Sequence, residues 1–335
     1  MGDWWTRLGA PAKGPGPRPR RRVVALPHAG GWPSAFRGWR DVLPADVELL
    51  AAQLPGRGPR IGEEPPTRIE PLVGALSREL ADLTGADPLP YAVIGHSFGS
   101  VLGYELTRAM EHKGLPPELL AVSARQPPCF TGGPPSAHQR TDAQLLAHLR
   151  EIGGIAPGLL ARPDLLGPAL RAIRADLEAM EAHERPPAGT GVPILALGAE
   201  DDPVVRADRL HLWSLETTAG FRRLMFPGGH FYLYEQANAA AVARHLVAPP
   251  PPASQALDAP RPLDAPRPLD APRPLDTTQS PDTPGLPERN PVEHHRRLPP
   301  AGRSTPVAGA GRPGAAHAPA LHRRERAAPG RTAHQ

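Results

Sequence analysis

The sequence predicts an α/β fold with a mostly parallel central sheet, helices on both faces and a helical insertion. Three observations carry this. Short apolar runs alternate with helix-spaced stretches after Arg22, the runs are apolar almost continuously, and one long segment holds helical pattern alone. Continuous apolar runs suit strands buried on both faces, as parallel sheets require.

The runs are VVALP, VELLAAQ, YAVIGH, LLAVSA, PILALG and RLMFP, each read as a strand. Between the second and third, Leu72, Leu76, Leu80 and Leu83 recur at helical spacing. After the third, Leu102, Leu106 and Met110 repeat that spacing in a helix starting near Phe98, and Gly114 is placed as its C-cap. Strands alternating with helices give the parallel architecture. From Thr141 to Glu184 the pattern is helical throughout, with breaks near Gly153–Gly154 and Pro163, so 141–184 reads as a lid over the strand ends.

Composition divides the 335 residues into three parts. Residues 1–21 are read as a flexible basic arm, 22–247 as the folded domain, and 248–335 as a disordered Pro/Arg-rich tail. The tail holds 20 of the 48 prolines, no aromatic residue, and LDAPRP three times in tandem. Proline at that density forbids helix and favours extended chain, with little to bury. The folded domain is mildly acidic and both ends are basic, which argues against a nucleic-acid surface on the body. A single cysteine, Cys129, fits a reducing compartment. No apolar run has the length of a signal core or a membrane span, so a cytoplasmic protein acting without membrane contact is expected. A monomer is expected as well.

The chemistry centres on GHSFG, which follows the YAVI strand and precedes a helix. Strand, sharp turn and helix form the context in which G-x-S-x-G exposes a nucleophile, here Ser97. Gly95 and Gly99 fit because that turn leaves no room for side chains. A serine hydroxyl needs a base, and in this fold the chain order is serine, acid, histidine. His230 follows two glycines at the end of the RLMFP strand. The acid is Asp201 or Asp202 after PILALG, with Asp202 favoured because Pro203 pins the turn beside it. Strand C-terminal ends are where open α/β sheets carry their sites. The oxyanion hole is assigned to the backbone N–H groups of Ala29 and Phe98, with Gly30 and Gly31 shaping the loop. His28 belongs to that loop and not to the triad. No cofactor or metal site is expected.

The chain resembles the stand-alone type II thioesterases of polyketide and nonribosomal peptide synthesis, members of the α/β-hydrolase superfamily. The resemblance runs from about Trp4 to Val247. It rests on LPHAGGWPSAFRGWRDVLP, LPGRGPRIGEEP, GHSFGSVLGYELTR, VSARQPP, RADLEAME, LGAEDDPVV and FPGGHFYLYEQ. Carried over by motif, the nucleophile is Ser97, the acid Asp202 and the base His230. It departs at Phe98, where methionine is usual, at Ser100 for alanine, and at His183 for a lid tyrosine. These are expected to alter pocket shape.

The resemblance implies hydrolysis of acyl groups held on the phosphopantetheine arm of acyl or peptidyl carrier proteins, transient partners, through an acyl-enzyme. The role implied is removal of aberrant acyl groups that stall a synthase. Because the folded domain is acidic, docking on an acidic carrier is expected to use a local basic or apolar patch, aided by the basic N-terminal arm. Two rival readings are an esterase acting on free small-molecule esters, and a scaffold whose working part is the tail.

Overall fold

The computed structural model describes residues 3–9, 18–129, 137–155, 159, 162–183 and 188–248. The proline-rich tail and its LDAPRP repeats lie outside the described residues.

Seven strands form one sheet in the order β1-β3-β2-β4-β5-β6-β7. They are β1 (Trp5–Arg7), β2 (Arg21–Leu26), β3 (Val47–Ala52), β4 (Tyr91–His96), β5 (Leu119–Ser123), β6 (Ile194–Ala199) and β7 (Phe221–Phe226). All neighbouring pairs are parallel except β1 with β3. The six strands expected from the apolar runs are all present, and β2, β4 and β6 are buried nearly end to end.

β1 corrects the expectation of a flexible arm over residues 1–21. Trp5 pairs with Ala52 on β3, its side chain is buried, and its indole Nε1 donates to Leu76 O at 3.3 Å. A buried indole with a satisfied N–H holds a three-residue strand that its own backbone pairing could not. Residues 10–17 of that arm lie outside the described residues.

Alternation along β2 shows how the two faces are covered. Val24 and Leu26 join a core with α1 (Ile69–Ala86) and α2 (Phe98–His112). Val23 and Ala25 face a second core, closed by Phe36, Trp39, Ala239, Val242 and Leu246. Gly114 ends α2 in the left-handed region at φ +71°, and Leu115 N–H reaches Met110 O at 2.9 Å, a Schellman closure.

The insertion between β5 and β6 contains α3 (Asp142–Glu151) and α4 (Pro163–Glu181). Thr141 caps α3 in a reciprocal box with Gln144. Leu145, Leu149, Leu170 and Ile173 form a third, smaller core inside the insertion. The last element among the described residues is α5 (Gln236–Val247), a helix that the sequence reading did not name. No helix among the described residues is long and apolar enough to cross a membrane.

Candidate active site

Ser97 sits between β4 and α2 with φ 55° and ψ −115°, a left-handed conformation strained for a residue with a Cβ. The turn persists because its surroundings overdetermine it. Ser97 N–H donates to Ser123 O at 2.8 Å. A Cβ on Gly95 would lie 2.0 Å from Gly99 O, and one on Gly99 would lie 2.1 Å from Leu26 O. Only glycine lets α2 approach β4 and β2 this closely.

His230 follows β7, and its Nε2 is 3.2 Å from Ser97 Oγ. On the far side of the ring, Nδ1 is 2.9 Å from Asp202 Oδ2 and 3.1 Å from Oδ1. The carboxylate is aimed from below: Oδ1 accepts the Val204 N–H at 2.8 Å and the Val205 N–H at 3.2 Å. Both the imidazole and the carboxylate are buried. Asp201 is exposed, with its N–H turned to Gly228 O at 3.1 Å. The structure therefore brings Ser97, His230 and Asp202 into one hydrogen-bonded row.

Ala29 and Ser97 line the same cleft, of about 560 Å³. Phe98 opens α2, so its N–H has no intrahelical acceptor. The Ala29 N–H is aimed by the turn that contains it. Gly31 N–H donates to His28 O at 2.8 Å, and in a trans peptide the N–H of Ala29 points opposite to that carbonyl. The cleft's apolar wall comes from the insertion, through Leu145, Leu149, Ile152, Ile173, Leu177 and Met180. Ala124, the other non-glycine residue with positive φ among those described, also lines it.

Beside the Ser97–His230–Asp202 row lies a buried polar row that the sequence reading missed. His96 Nδ1 is 2.9 Å from Ser123 Oγ, which is 2.8 Å from Tyr232 Oη. Burial, with the nearby His230 and His28, holds the His96 imidazole well below its ordinary pKa. His28 Nδ1 is 2.9 Å from Tyr234 Oη. Burial, then the charges of His230 and Arg57, lower His28 to about 3. Burial also raises Tyr234, which keeps its proton and can donate to His28. His28 lies in the loop after β2 and outside the Ser97–His230–Asp202 row, where the sequence reading placed it.

The three departures from the family pattern do not shape the cleft as expected. The Phe98 side chain is wholly buried in the core behind the turn. Ser100 Oγ accepts the Ser123 N–H at 2.9 Å and lies 2.8 Å from Ser123 O, tying α2 to β5. His183 lines a separate surface hollow, with Nε2 3.1 Å from Glu105 Oε1.

Comparison with known proteins agrees with this architecture. A family model described as a thioesterase domain matches residues 21–248. The gramicidin S biosynthesis protein GrsT of Aneurinibacillus migulanus is 32% identical over 216 residues, covering 64% of this chain and 83% of that protein. Thioesterase PikA5 of Streptomyces venezuelae is 34% identical over 230 residues, covering 66% and 79%. Among solved structures, the type II thioesterase BorB from the borrelidin biosynthetic cluster superposes with a TM-score of 0.64 at 34% identity, covering 73% of this chain and 98% of that one. On its family match, its aligned relatives and its mostly parallel sheet, the chain belongs to the thioesterase family of the α/β-hydrolase fold.

Proposed function

We propose that this thioesterase hydrolyses acyl thioesters carried on the phosphopantetheine arm of carrier proteins, clearing aberrant acyl groups from a polyketide or nonribosomal peptide synthase. The observation that carries the reading is the Ser97–His230–Asp202 row, whose serine and histidine line a cleft with an apolar wall from the helical insertion. Relatives named for gramicidin S, borrelidin and yersiniabactin biosynthesis support the setting.

In this mechanism Ser97 Oγ attacks the thioester carbon as its proton passes to His230 Nε2. Asp202 holds the imidazole with Nε2 toward the serine and stabilises the imidazolium without taking the proton. The N–H groups of Ala29 and Phe98 donate to the tetrahedral oxyanion. The intermediate collapses, the C–S bond breaks, and His230 returns the proton to the leaving thiol. Water, deprotonated by the same imidazole, then attacks the acyl-serine; the acyl C–Oγ bond breaks as the imidazolium returns the proton to Ser97 Oγ, and the acid leaves. The chemistry needs no cofactor beyond the arm that the partner brings.

The test is a panel of carrier proteins loaded with different acyl groups, run beside free oxygen esters of the same acids. Faster hydrolysis of the carrier-bound thioesters, lost in Ser97→Ala, supports the reading. A preference of several orders for the free oxygen ester replaces it with a small-molecule esterase.

A further inference from the structure

Three of the sequence motifs meet at one point that the triad does not explain. Asp176 comes from RADLEAME on α4, Arg57 from LPGRGPR after β3, and Gly30 from PHAGG after β2. Asp176 Oδ2 accepts the Gly30 N–H at 2.7 Å. The same carboxylate receives Arg57 in a two-pronged pair, Nη1 to Oδ2 at 2.6 Å and Nη2 to Oδ1 at 2.8 Å. Both side chains are 2% exposed. Arg57 is anchored in turn by Pro55 O at 3.0 Å.

Gly30 is the third residue of the turn closed by Gly31 N–H and His28 O, and its φ is +72°. The N–H at that position is not used by the turn itself. A Cβ on Gly30 would lie 2.2 Å from Ile173 Cγ1, so the loop backbone presses directly on α4, one helical turn before Asp176. The Asp176 bond fixes the Ala29–Gly30 peptide plane, and with it the neighbouring plane that carries the Ala29 N–H. A carboxylate on the lid helix therefore holds the loop from which the oxyanion donor projects.

We propose that Asp176 is a positioning residue for the oxyanion loop, with Arg57 fixing its carboxylate, so that docking of α4 and assembly of the oxyanion hole are one event. This rests on the Ser97 hydrolase reading above. A buried ion pair on its own is weak grounds for function, since such pairs are replaceable by apolar residues without loss of stability. The distinguishing feature is the third bond, to Gly30.

The experiment exploits that difference with two double variants, assayed on an activated acyl thioester and with a trifluoromethyl ketone that forms a tetrahedral adduct on Ser97. Arg57→Met with Asp176→Leu removes both charges and the acceptor. Arg57→Met with Asp176→Asn removes the ion pair and keeps an oxygen for Gly30. Expected is a fall in kcat of about 30- to 300-fold in the first, with KM within about threefold and ketone affinity falling in step. The second recovers to within about fivefold of the unaltered protein.

A folded first variant with unaltered kcat overturns the proposal. If neither variant folds, the unaltered protein decides. Its Gly30 amide is expected to be shifted downfield and protected from exchange, and exchange at the rate of an open loop overturns the proposal. An unaltered protein inert toward every acyl ester would instead mark failure of the hydrolase reading itself.

Discussion

At the scale of single residues, the site depends on directions as much as on identities. Asp202 accepts two backbone N–H groups and one imidazole, so its two oxygens are held in place. Asp202→Asn would present an amide to Nδ1 and favour the wrong tautomer. Expected is a loss of about 10⁴ in kcat with little change in melting temperature, read by steady-state kinetics and thermal denaturation. His28 gives a pH signature. Its folded pKa of about 3 lies below the 6.5 of an unperturbed imidazole, so the unfolded chain binds the extra proton. Its contribution is complete above pH 6.5 and is lost as pH falls from there toward 3. Between pH 8 and pH 5 this one group removes about 2 kcal/mol. Denaturant unfolding of His28→Gln at both pH values should show a difference smaller by about that amount. An unchanged difference would place the acid sensitivity elsewhere.

At the scale of elements, the turn at Ser97 is a packing problem solved by glycine. Gly99 lies where a Cβ would meet Leu26 O at 2.1 Å, and backbone cannot yield as a flexible side chain can. Gly99→Ala is expected to push α2 off the sheet and to cost about 1–3 kcal/mol. Activity should fall by more than stability alone explains, because Phe98 N–H and Ser97 move with the helix. Equilibrium unfolding and kcat measured on one preparation check this. The six long strands, both flanking helices and the residues of the Ser97–His230–Asp202 row were legible in the sequence, since the strands centre on apolar runs and each of the three residues follows one. β1 was not, because three residues show no periodicity and its anchor is a single tryptophan 71 residues from its acceptor, Leu76. The Arg57–Asp176 contact was equally hidden. The two residues are 119 positions apart, and nothing in a helical pattern says which aspartate turns inward. α5 was overlooked although Ala239, Val242, Ala243 and Leu246 follow helical spacing.

At the scale of the whole molecule, the family match ends at residue 248 and α5 ends at Val247. A chain truncated after Ala248 is expected to keep its melting temperature within a few degrees and its kcat/KM on acyl thioesters within about twofold, since the Ser97–His230–Asp202 row, the cleft and all three cores lie before that point. A large loss would give residues 249–335 a part in the fold or in partner binding. The basic N-terminal segment is best tested by substituting Arg18 and Arg20, because deleting residues 1–20 would also remove β1 and confound docking with folding.

The central claim is that Ser97 carries the acyl group between thioester and water. The direct measurement is rapid mixing with an acyl-loaded carrier protein, acid quench, and mass spectrometry of the intact and digested chain. The account predicts one transient acyl increment on the peptide containing Ser97, absent from Ser97→Ala and forming far more slowly in His230→Ala, which lacks the base for acylation. An increment on another residue, or carrier deacylation undiminished in Ser97→Ala, would contradict it.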